Sequence, residues 1–462
     1  MNLYRVALTT VFLLIAIIFS GCEFSEFLDE FPRKVPSIFA FNVDDKVEKP
    51  LSMPPNCMKS PEPLPDKFYM DVYWDTTISM QGFTRLSAGN VYRQLPDILS
   101  DFGNSFKDSE VHFYRFGEKI VPVDDREHLQ FRNPDVYSDL ITSFGNVIDE
   151  ANPSHLSVVV TDLFESNADW SNVTQKCREK FFSQHLSIAI IGIKNSFNGE
   201  IFDVGINAAN FSYDSGNDPV RFRPCYLFLM GAESQVRAFL EKWKKVDASS
   251  NEIQYVVFSE YCSLPSDFLR VSNAKAIDKK NLLENRTLLK SEEQLQEVVI
   301  VDYTEKVSLK IPFKFSFNSE DKNCLLSENA FDKRARIFVW NDEGEWQVQD
   351  DKQDNLRLAL TDLNDETENN HLLELSFNPQ STLLPGRINL IQVQVIPEKN
   401  KLSLPEWISD WDMGNIDIAP EQFNGAKTVN LKKITDSLKD SLFAQTLPII
   451  TELNLVIDER KK

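Results

Sequence analysis

The sequence has few of the residues that build metal clusters, disulfide frameworks and catalytic triads. Only 6 of its 462 residues are cysteine, 5 are histidine and 15 are glycine. Apart from Cys22, the cysteines are odd in number and none are closely spaced, which argues against a zinc pattern and a disulfide framework. The choice of a pair for any single disulfide stays open among Cys57, Cys177, Cys225, Cys262 and Cys324. Nucleophile elbows, Gly-rich phosphate loops and His-Glu-x-x-His motifs are also missing, so the sequence predicts no enzyme.

Positive charge is scarce in this chain. It has 49 Lys and Arg against 70 Asp and Glu, which gives a net charge of −21. Because nucleic acids and anionic lipids are bound through Lys and Arg, neither is an expected partner. A solvated acidic surface accounts for the excess, and bound divalent cations are compatible with it.

Long hydrophobic runs are missing after residue 22. Before it, Arg5 precedes an apolar run over residues 6–18, and Phe19-Ser20-Gly21-Cys22 follows. A positive charge, an apolar region and a small-residue cleavage site form the plan of a signal peptide. The run is shorter than the roughly 20 apolar residues of a transmembrane helix. A plain signal peptide and a membrane anchor that ends in Cys are the alternatives.

The four residues that close this segment resemble the lipobox of bacterial lipoproteins. The resemblance implies that residues 1–21 are removed and that Cys22 is lipidated. Two or more acyl chains anchor a protein stably. The body would then be held in the bacterial cell envelope on the extracytoplasmic side, in the periplasm or at the cell surface. The choice between inner and outer membrane stays open.

Composition and periodicity divide the rest of the chain into segments. Frequent prolines predict a tether over residues 22–65, because proline breaks helices and central strands. Short β-branched runs alternate with helical periodicity over 66–247, which predicts an α/β sheet covered by helices on both faces. After a connector at 248–290, closely spaced short strands over 291–400 predict a β-sandwich-like region. Residues 401–462 are predicted to be mixed α/β.

One stretch of the α/β segment carries a pattern with chemical meaning. Asp75 ends a predicted strand, Thr77 and Ser79 follow in a polar turn, and a helix comes next. Ligands of open α/β sheets bind at the carboxyl ends of strands. A carboxylate and two hydroxyls at this spacing could converge on one hard cation. The alternative is that Asp75 and Thr77 only cap the following helix.

This pattern resembles the first motif of the metal-ion-dependent adhesion site of von Willebrand factor A domains, Asp-x-Ser-x-Ser. The resemblance covers roughly residues 66–245 and implies a Rossmann-like, mostly parallel sheet that holds Mg²⁺, Mn²⁺ or Ca²⁺. The implied metal-site residues are Asp75, Thr77, Ser79, Ser138 and Asp162. Thr142 is the second choice for the position given to Ser138, and Leu163 stands where the family usually has glycine.

Three functions follow from these expectations. The first is a lipid-anchored binding module whose A-like domain contacts a protein partner, with a divalent cation as a candidate link. The second is a structural lipoprotein in which an A-like fold without metal serves as a scaffold. The third and least favoured is a hydrolase, for which Thr77 has no obvious general base in the sequence.

Overall fold

The computed structural model describes residues 62–85, 90–106, 108–124, 126–163, 170–204, 209–245, 252–260, 275–276, 282–290, 295–301, 307–314, 331–365, 368–398, 403–414, 423–444, 449 and 451–458. The lipobox with Cys22, the tether, Cys57, Cys262 and Cys324 lie outside these residues. Within the described part of the chain, no helix is long and apolar enough to cross a membrane.

The first structural unit is a seven-stranded sheet with the strand order β3-β2-β1-β4-β8-β5-β9. Its strands are β1 (Tyr69–Asp75), β2 (Glu110–Phe116), β3 (Ile120–Val123), β4 (Leu156–Thr161), β5 (Ser187–Asn195), β8 (Arg223–Gly231) and β9 (Ile253–Phe258). A hairpin of β6 (Asn198–Val204) and β7 (Ala209–Asp214) follows β5. Every residue of β4 and of β8 is buried, as their apolar sequences predict.

The sheet is mixed, so the prediction of a mostly parallel sheet holds only in part. Strands β1, β2, β4 and β5 point one way, while β3, β8 and β9 are antiparallel to their neighbours. The chain leaves β5 and re-enters at β8 through a hairpin and a short turn rather than a crossover helix. A strand entered from the same edge must run antiparallel. This return places Arg223, the first residue of β8, at the edge where β1 and β4 end.

Helices cover both faces of this sheet. They are α1 (Val91–Asn104), α2 (Phe144–Glu150), α3 (Trp170–Lys180) and α4 (Glu233–Trp243). The apolar sides of α1 and α4 pack into one core, and those of α2 and α3 pack into a second core on the opposite face. Cys225 lies buried in the first core and Cys177 in the second, both as free thiols. Burial raises the pKa of both thiols.

The predicted segment boundaries need two corrections. Strand β9, at Ile253–Phe258, falls in the predicted connector but pairs with β5 in the first sheet. The C-terminal region divides between the two halves of the protein. Its helices α6 (Glu406–Trp411) and α7 (Leu431–Phe443) pack on the α/β core, whereas its last strand joins a sheet of the β-rich half. Hydrophobic periodicity identifies such elements but does not say which core they join.

The β-rich half forms two further sheets with the strand orders β10-β13-β17-β16 and β11-β12-β21-β18-β14-β15. Their strands are β10 (Lys275–Ala276), β11 (Leu282–Lys290), β12 (Leu295–Val301), β13 (Val307–Lys314), β14 (Phe331–Trp340), β15 (Trp346–Val348), β16 (Arg357–Asp365), β17 (Glu368–Phe377), β18 (Ile388–Pro397) and β21 (Thr451–Asp458). The short helix α5 (Pro379–Thr382) precedes β18, and β19 (Asp412–Met413) pairs with β20 (Thr428–Val429) beside the first sheet. The predicted strand-rich character of this half is confirmed.

Helix α6 packs on the first sheet at Gly192, where the Trp411 ring lies directly against the strand, and this contact gives a testable prediction. A Cβ added at Gly192 in β5 would lie 2.6 Å from a ring carbon of the buried Trp411. Gly192→Ala should therefore destabilise the protein by about 1–3 kcal/mol, because a rigid aromatic ring must move. Urea unfolding followed by tryptophan fluorescence measures this change.

The matched control is Gly145→Ala in α2. There the added Cβ would meet only the flexible end of the Lys176 side chain, at 3.3 Å. Alanine at this helical position should raise stability by up to about 1 kcal/mol. Equal effects of the two substitutions would show that the contact between Gly192 and Trp411 does not hold α6 on the sheet.

Candidate metal centre at the carboxyl edge of the sheet

Asp75 is the buried centre of a polar cluster at the end of β1. Its side chain is 0% exposed, and its two carboxylate oxygens accept three hydrogen bonds. The backbone N–H and the hydroxyl of Thr77 donate to Oδ1 at 3.0 and 2.6 Å. The hydroxyl of Thr161, the last residue of β4, donates to Oδ2 at 3.0 Å. Asp75 therefore links the ends of the adjacent strands β1 and β4. The sequence did not predict that Thr161 takes part in this cluster.

Three hydroxyl oxygens lie beside this carboxylate, with Thr77 Oγ1 in the middle and within hydrogen-bonding distance of the other two. Thr77 Oγ1 lies 3.1 Å from Ser79 Oγ, and Thr142 Oγ1 lies 3.4 Å from Thr77 Oγ1. All three residues are buried. The turn that holds two of them is a 3₁₀ helix over Ile78–Phe83, and its N-cap residue Thr77 forms no side-chain cap. The Thr77 hydroxyl thus serves the cluster and does not cap the helix.

The loop after β3 supplies Thr142 to the cluster and not Ser138, which was the first choice. Ser138 is exposed, whereas Thr142 is buried against Thr77. Between them, Asp139 forms a β-bridge with Thr77 and accepts a hydrogen bond from the Thr76 hydroxyl. With Asp139 held at Thr77 and Thr76, Ser138 faces solvent and the chain returns to the cluster at Thr142. Sequence spacing alone did not determine this choice.

Aromatic hydroxyls anchor the start of this loop to β1. Trp74 Nε1 lies 2.9 Å from the hydroxyls of both Tyr92 and Tyr137. The Tyr137 hydroxyl in turn donates to the backbone carbonyl of Phe131 at 2.6 Å. Since Trp74 is the neighbour of Asp75 in β1, these bonds fix the loop relative to the strand end that carries the site.

Asp162 follows β4 and is paired with an arginine that the sequence analysis did not identify. Arg223 Nη2 lies 3.4 Å from Asp162 Oδ2, and both side chains are buried. The only signal for Arg223 in the sequence is a charged residue directly before the apolar run of β8. The start of β8 lies beside the end of β4 only because the two strands are antiparallel, so this signal does not by itself identify Arg223 as the partner of Asp162.

The backbone after Asp162 has the conformation that glycine favours. Leu163 has a φ of +60° and is 2% exposed, and its N–H donates to the Thr161 hydroxyl at 3.2 Å. A left-handed conformation at a non-glycine residue costs of the order of 1 kcal/mol and is concentrated at functional sites. Leu163 therefore adopts a backbone conformation that glycine would adopt without strain, and its side chain is buried.

The electrostatics of the cluster favour a bound positive charge. Burial, and after it repulsion by the nearby Asp162 carboxylate, raise the pKa of Asp75 from 3.8 to about 7. The hydrogen bonds from Thr77 and Thr161 act in the opposite direction. A cation at the carboxylate would favour its ionised form and offset the cost of burying it.

The oxygen atoms fit a small divalent cation. Around Mg²⁺, ligand oxygens at 2.0–2.1 Å in an octahedron lie roughly 3 Å from their neighbours. The Thr77 and Ser79 hydroxyls are hydrogen-bonded to each other at 3.1 Å, a separation that is compatible with that spacing. Asp75, Thr77, Ser79 and Thr142 would hold the ion, and Asp162 lies next to them but is engaged by Arg223. Among the described residues, no group of three or more His, Cys, Asp or Glu side chains is arranged to hold a metal ion.

A second polar cluster lies nearer the amino end of β1. Both oxygens of the buried Asp71 face imidazoles, with His112 Nδ1 at 3.1 Å and His155 Nδ1 at 2.7 Å. The common partner of these histidines was not predictable from the sequence, because the pairing of β1 with β2 and β4 brings the three residues together. Their Nδ1 atoms satisfy the two oxygens of Asp71, so we assign the cluster a structural role.

Comparisons of the chain with protein-family models, with curated proteins and with solved structures gave no match. The assignment of this site therefore depends on its own geometry.

Proposed function

We propose that the chain is a membrane-anchored extracytoplasmic lipoprotein whose von Willebrand factor A-like domain binds a protein partner through a divalent cation. The observation that carries the proposal is the pair of hydroxyls at 3.1 Å beside the buried Asp75 carboxylate. Mg²⁺, Mn²⁺ and Ca²⁺ are the candidate ions, because all the contributing atoms are oxygens.

A bound cation would supply an electrophilic centre that accepts an oxygen ligand from outside the protein. The proposed ligands are neutral hydroxyls and one carboxylate, that of Asp75. A divalent ion bound by them would keep a net positive charge. A carboxylate of the partner is the natural complement, because hard cations prefer oxygen ligands. The proposed partner is therefore a protein that presents an acidic side chain, and the net charge of −21 argues against nucleic acid.

The function is tested by capturing partners from membranes of the source cell. The wild-type protein should retain a partner in Mg²⁺ and release it in EDTA, and refilling with Mg²⁺ should restore binding. Asp75→Asn should retain nothing above background in either buffer, because the isosteric amide removes the charge that holds the ion. Capture by both proteins without any effect of EDTA would contradict a cation-dependent interaction.

The lipid anchor gives a separate prediction. Cys22→Ser should move the protein from the membrane fraction to the soluble fraction, or leave an unprocessed precursor, because the acylated residue is lost. Fractionation and mass spectrometry of the N-terminus measure this. Cys57→Ser is the control and should leave the membrane association unchanged. An intact, unacylated N-terminus in the mature wild-type protein would contradict the anchor.

A scaffold without metal is the second candidate, and one observation favours it. The guanidinium of Arg223 already places a positive charge next to Asp162 within the same cluster. In that case the fold would remain stable without an ion, and the partner would bind elsewhere. A hydrolase is less well supported, because the Thr77 hydroxyl that would act as nucleophile is held in hydrogen bonds with Asp75, Ser79 and Thr142.

A further inference from the structure

Arg223 is a buried cation with an incomplete set of partners. Its side chain is 7% exposed, and its contact with Asp162 is a single one at 3.4 Å rather than a paired, bidentate one. Its Nη1 donates to the Gly425 carbonyl at 3.3 Å, and its guanidinium stands over the Phe197 ring at 5.5 Å. Its Nε is buried and lacks a hydrogen-bond partner in the described structure. An arginine bound optimally by one carboxylate would use two parallel N–H groups.

The carbonyl that receives Arg223 is held in place by close packing. A Cβ at Gly425 would lie 2.3 Å from the Tyr213 ring, so the backbone there lies directly against the aromatic side chain. The neighbouring Phe423 stacks on Phe211 with ring centroids 4.2 Å apart. The segment before α7 therefore fixes one end of the guanidinium beside the metal site, because it is anchored to the β6–β7 hairpin.

From this geometry we propose that Arg223 is a resident counter-charge that competes with the divalent cation for the carboxylates of the site. The inference rests on the proposed function, since it concerns the affinity of that same site. Arginine stays protonated at every relevant pH. Its charge reduces the formal charge of the two-carboxylate cluster from −2 to −1 and repels an incoming ion.

This competition explains how Asp162 can lie beside the site without being available as a ligand. The ion pair offsets the charge of Asp162 while the site is free of metal, so the cost of burying two carboxylates falls mainly on Asp75. A cation that enters must bind Asp75 and the hydroxyls while the nearby guanidinium repels it, or it must displace Arg223 from Asp162. Either route weakens binding, so the wild type should bind the cation less tightly than a variant without the guanidinium.

The test is a titration of the full-length protein with Mn²⁺, followed by electron paramagnetic resonance of the free ion. Arg223→Met keeps an unbranched side chain, shorter than that of arginine, and removes the charge. We expect it to bind Mn²⁺ at least tenfold more tightly than the wild type. Arg223→Lys keeps the charge and should stay within threefold of the wild type. Arg223→Gln, whose side chain is polar but uncharged, is the second uncharged variant and should also bind at least tenfold more tightly.

The outcomes separate this inference from the proposed function. Binding by the wild type with no gain in either folded uncharged variant would overturn the competition and leave the proposed function intact. Binding by the uncharged variants alone would support the competition and show that Arg223 takes the place of the ion, which contradicts the proposed function. Absence of Mn²⁺ binding in all four proteins would overturn both. Circular dichroism and cooperative unfolding establish which variants are folded.

Discussion

Asp75→Asn should stabilise the metal-free protein at pH 8 and remove much of the fall in its stability between pH 4 and pH 7. Burial raises the pKa of Asp75 from 3.8 to about 7, so the folded state holds a proton in this range that the unfolded state releases. The free energy of unfolding therefore falls as pH rises. A difference of this size corresponds to about 4 kcal/mol when Asp75 is fully ionised.

Asparagine keeps the shape of the side chain and its acceptor oxygen for Thr77, while its amide can donate to the Thr161 hydroxyl. Urea unfolding at intervals from pH 4 to pH 8, with EDTA present, measures the effect. The control is Asp101→Asn on the exposed side of α1, which should leave the pH dependence unchanged. Equal pH dependence in wild type and Asp75→Asn would contradict the assignment of a raised pKa to this carboxylate.

The second large effect concerns stabilisation by the cation itself. At pH 8, Mg²⁺ at a concentration one hundred times its dissociation constant should raise the free energy of unfolding of the wild type by about 2.7 kcal/mol, because only the folded state binds it. Thr77→Ala should lose most of this gain, since the Thr77 hydroxyl stands between Asp75 and Ser79. Urea unfolding with and without Mg²⁺ measures both.

Two matched controls make this test specific. Thr84→Ala removes a buried hydroxyl that donates to the Gln81 carbonyl outside the cluster, so it should lower stability but keep the full gain from Mg²⁺. Ser138→Ala should also keep it, whereas Thr142→Ala should reduce it, because only Thr142 contacts Thr77. A gain that disappears in Ser138→Ala and survives in Thr142→Ala would restore the ligand set expected from the sequence.

Local sequence patterns are sufficient to predict the strands and the polar strand end of the first sheet. The β-branched runs predicted β4 and β5, and the spacing of Asp75, Thr77 and Ser79 predicted a polar strand end, because these features depend on neighbours in the chain. The spacing of Trp407 and Trp411, four residues apart, is that of one face of a helix, and both side chains are buried in the core.

Features that depend on chain direction and long-range packing were not predictable in the same way. Strand β8 has the same apolar sequence whether it runs parallel or antiparallel, so the sequence did not predict that Arg223 lies beside Asp162. The choice between Ser138 and Thr142 depends on the bridge between Asp139 and Thr77, which joins two distant loops. Both are decided by the fold around the site rather than by the residues next to them.

Counting the bound metal tests the central claim most directly. The wild-type protein, dialysed at pH 8 against millimolar Mn²⁺ and measured by elemental analysis, should carry one equivalent of Mn²⁺ per chain above the amount in the dialysis buffer. Asp75→Asn should carry none, and Asp101→Asn should match the wild type. A wild type without bound Mn²⁺, or an Asp75→Asn protein that keeps the full equivalent, would contradict a cation site at this edge of the sheet.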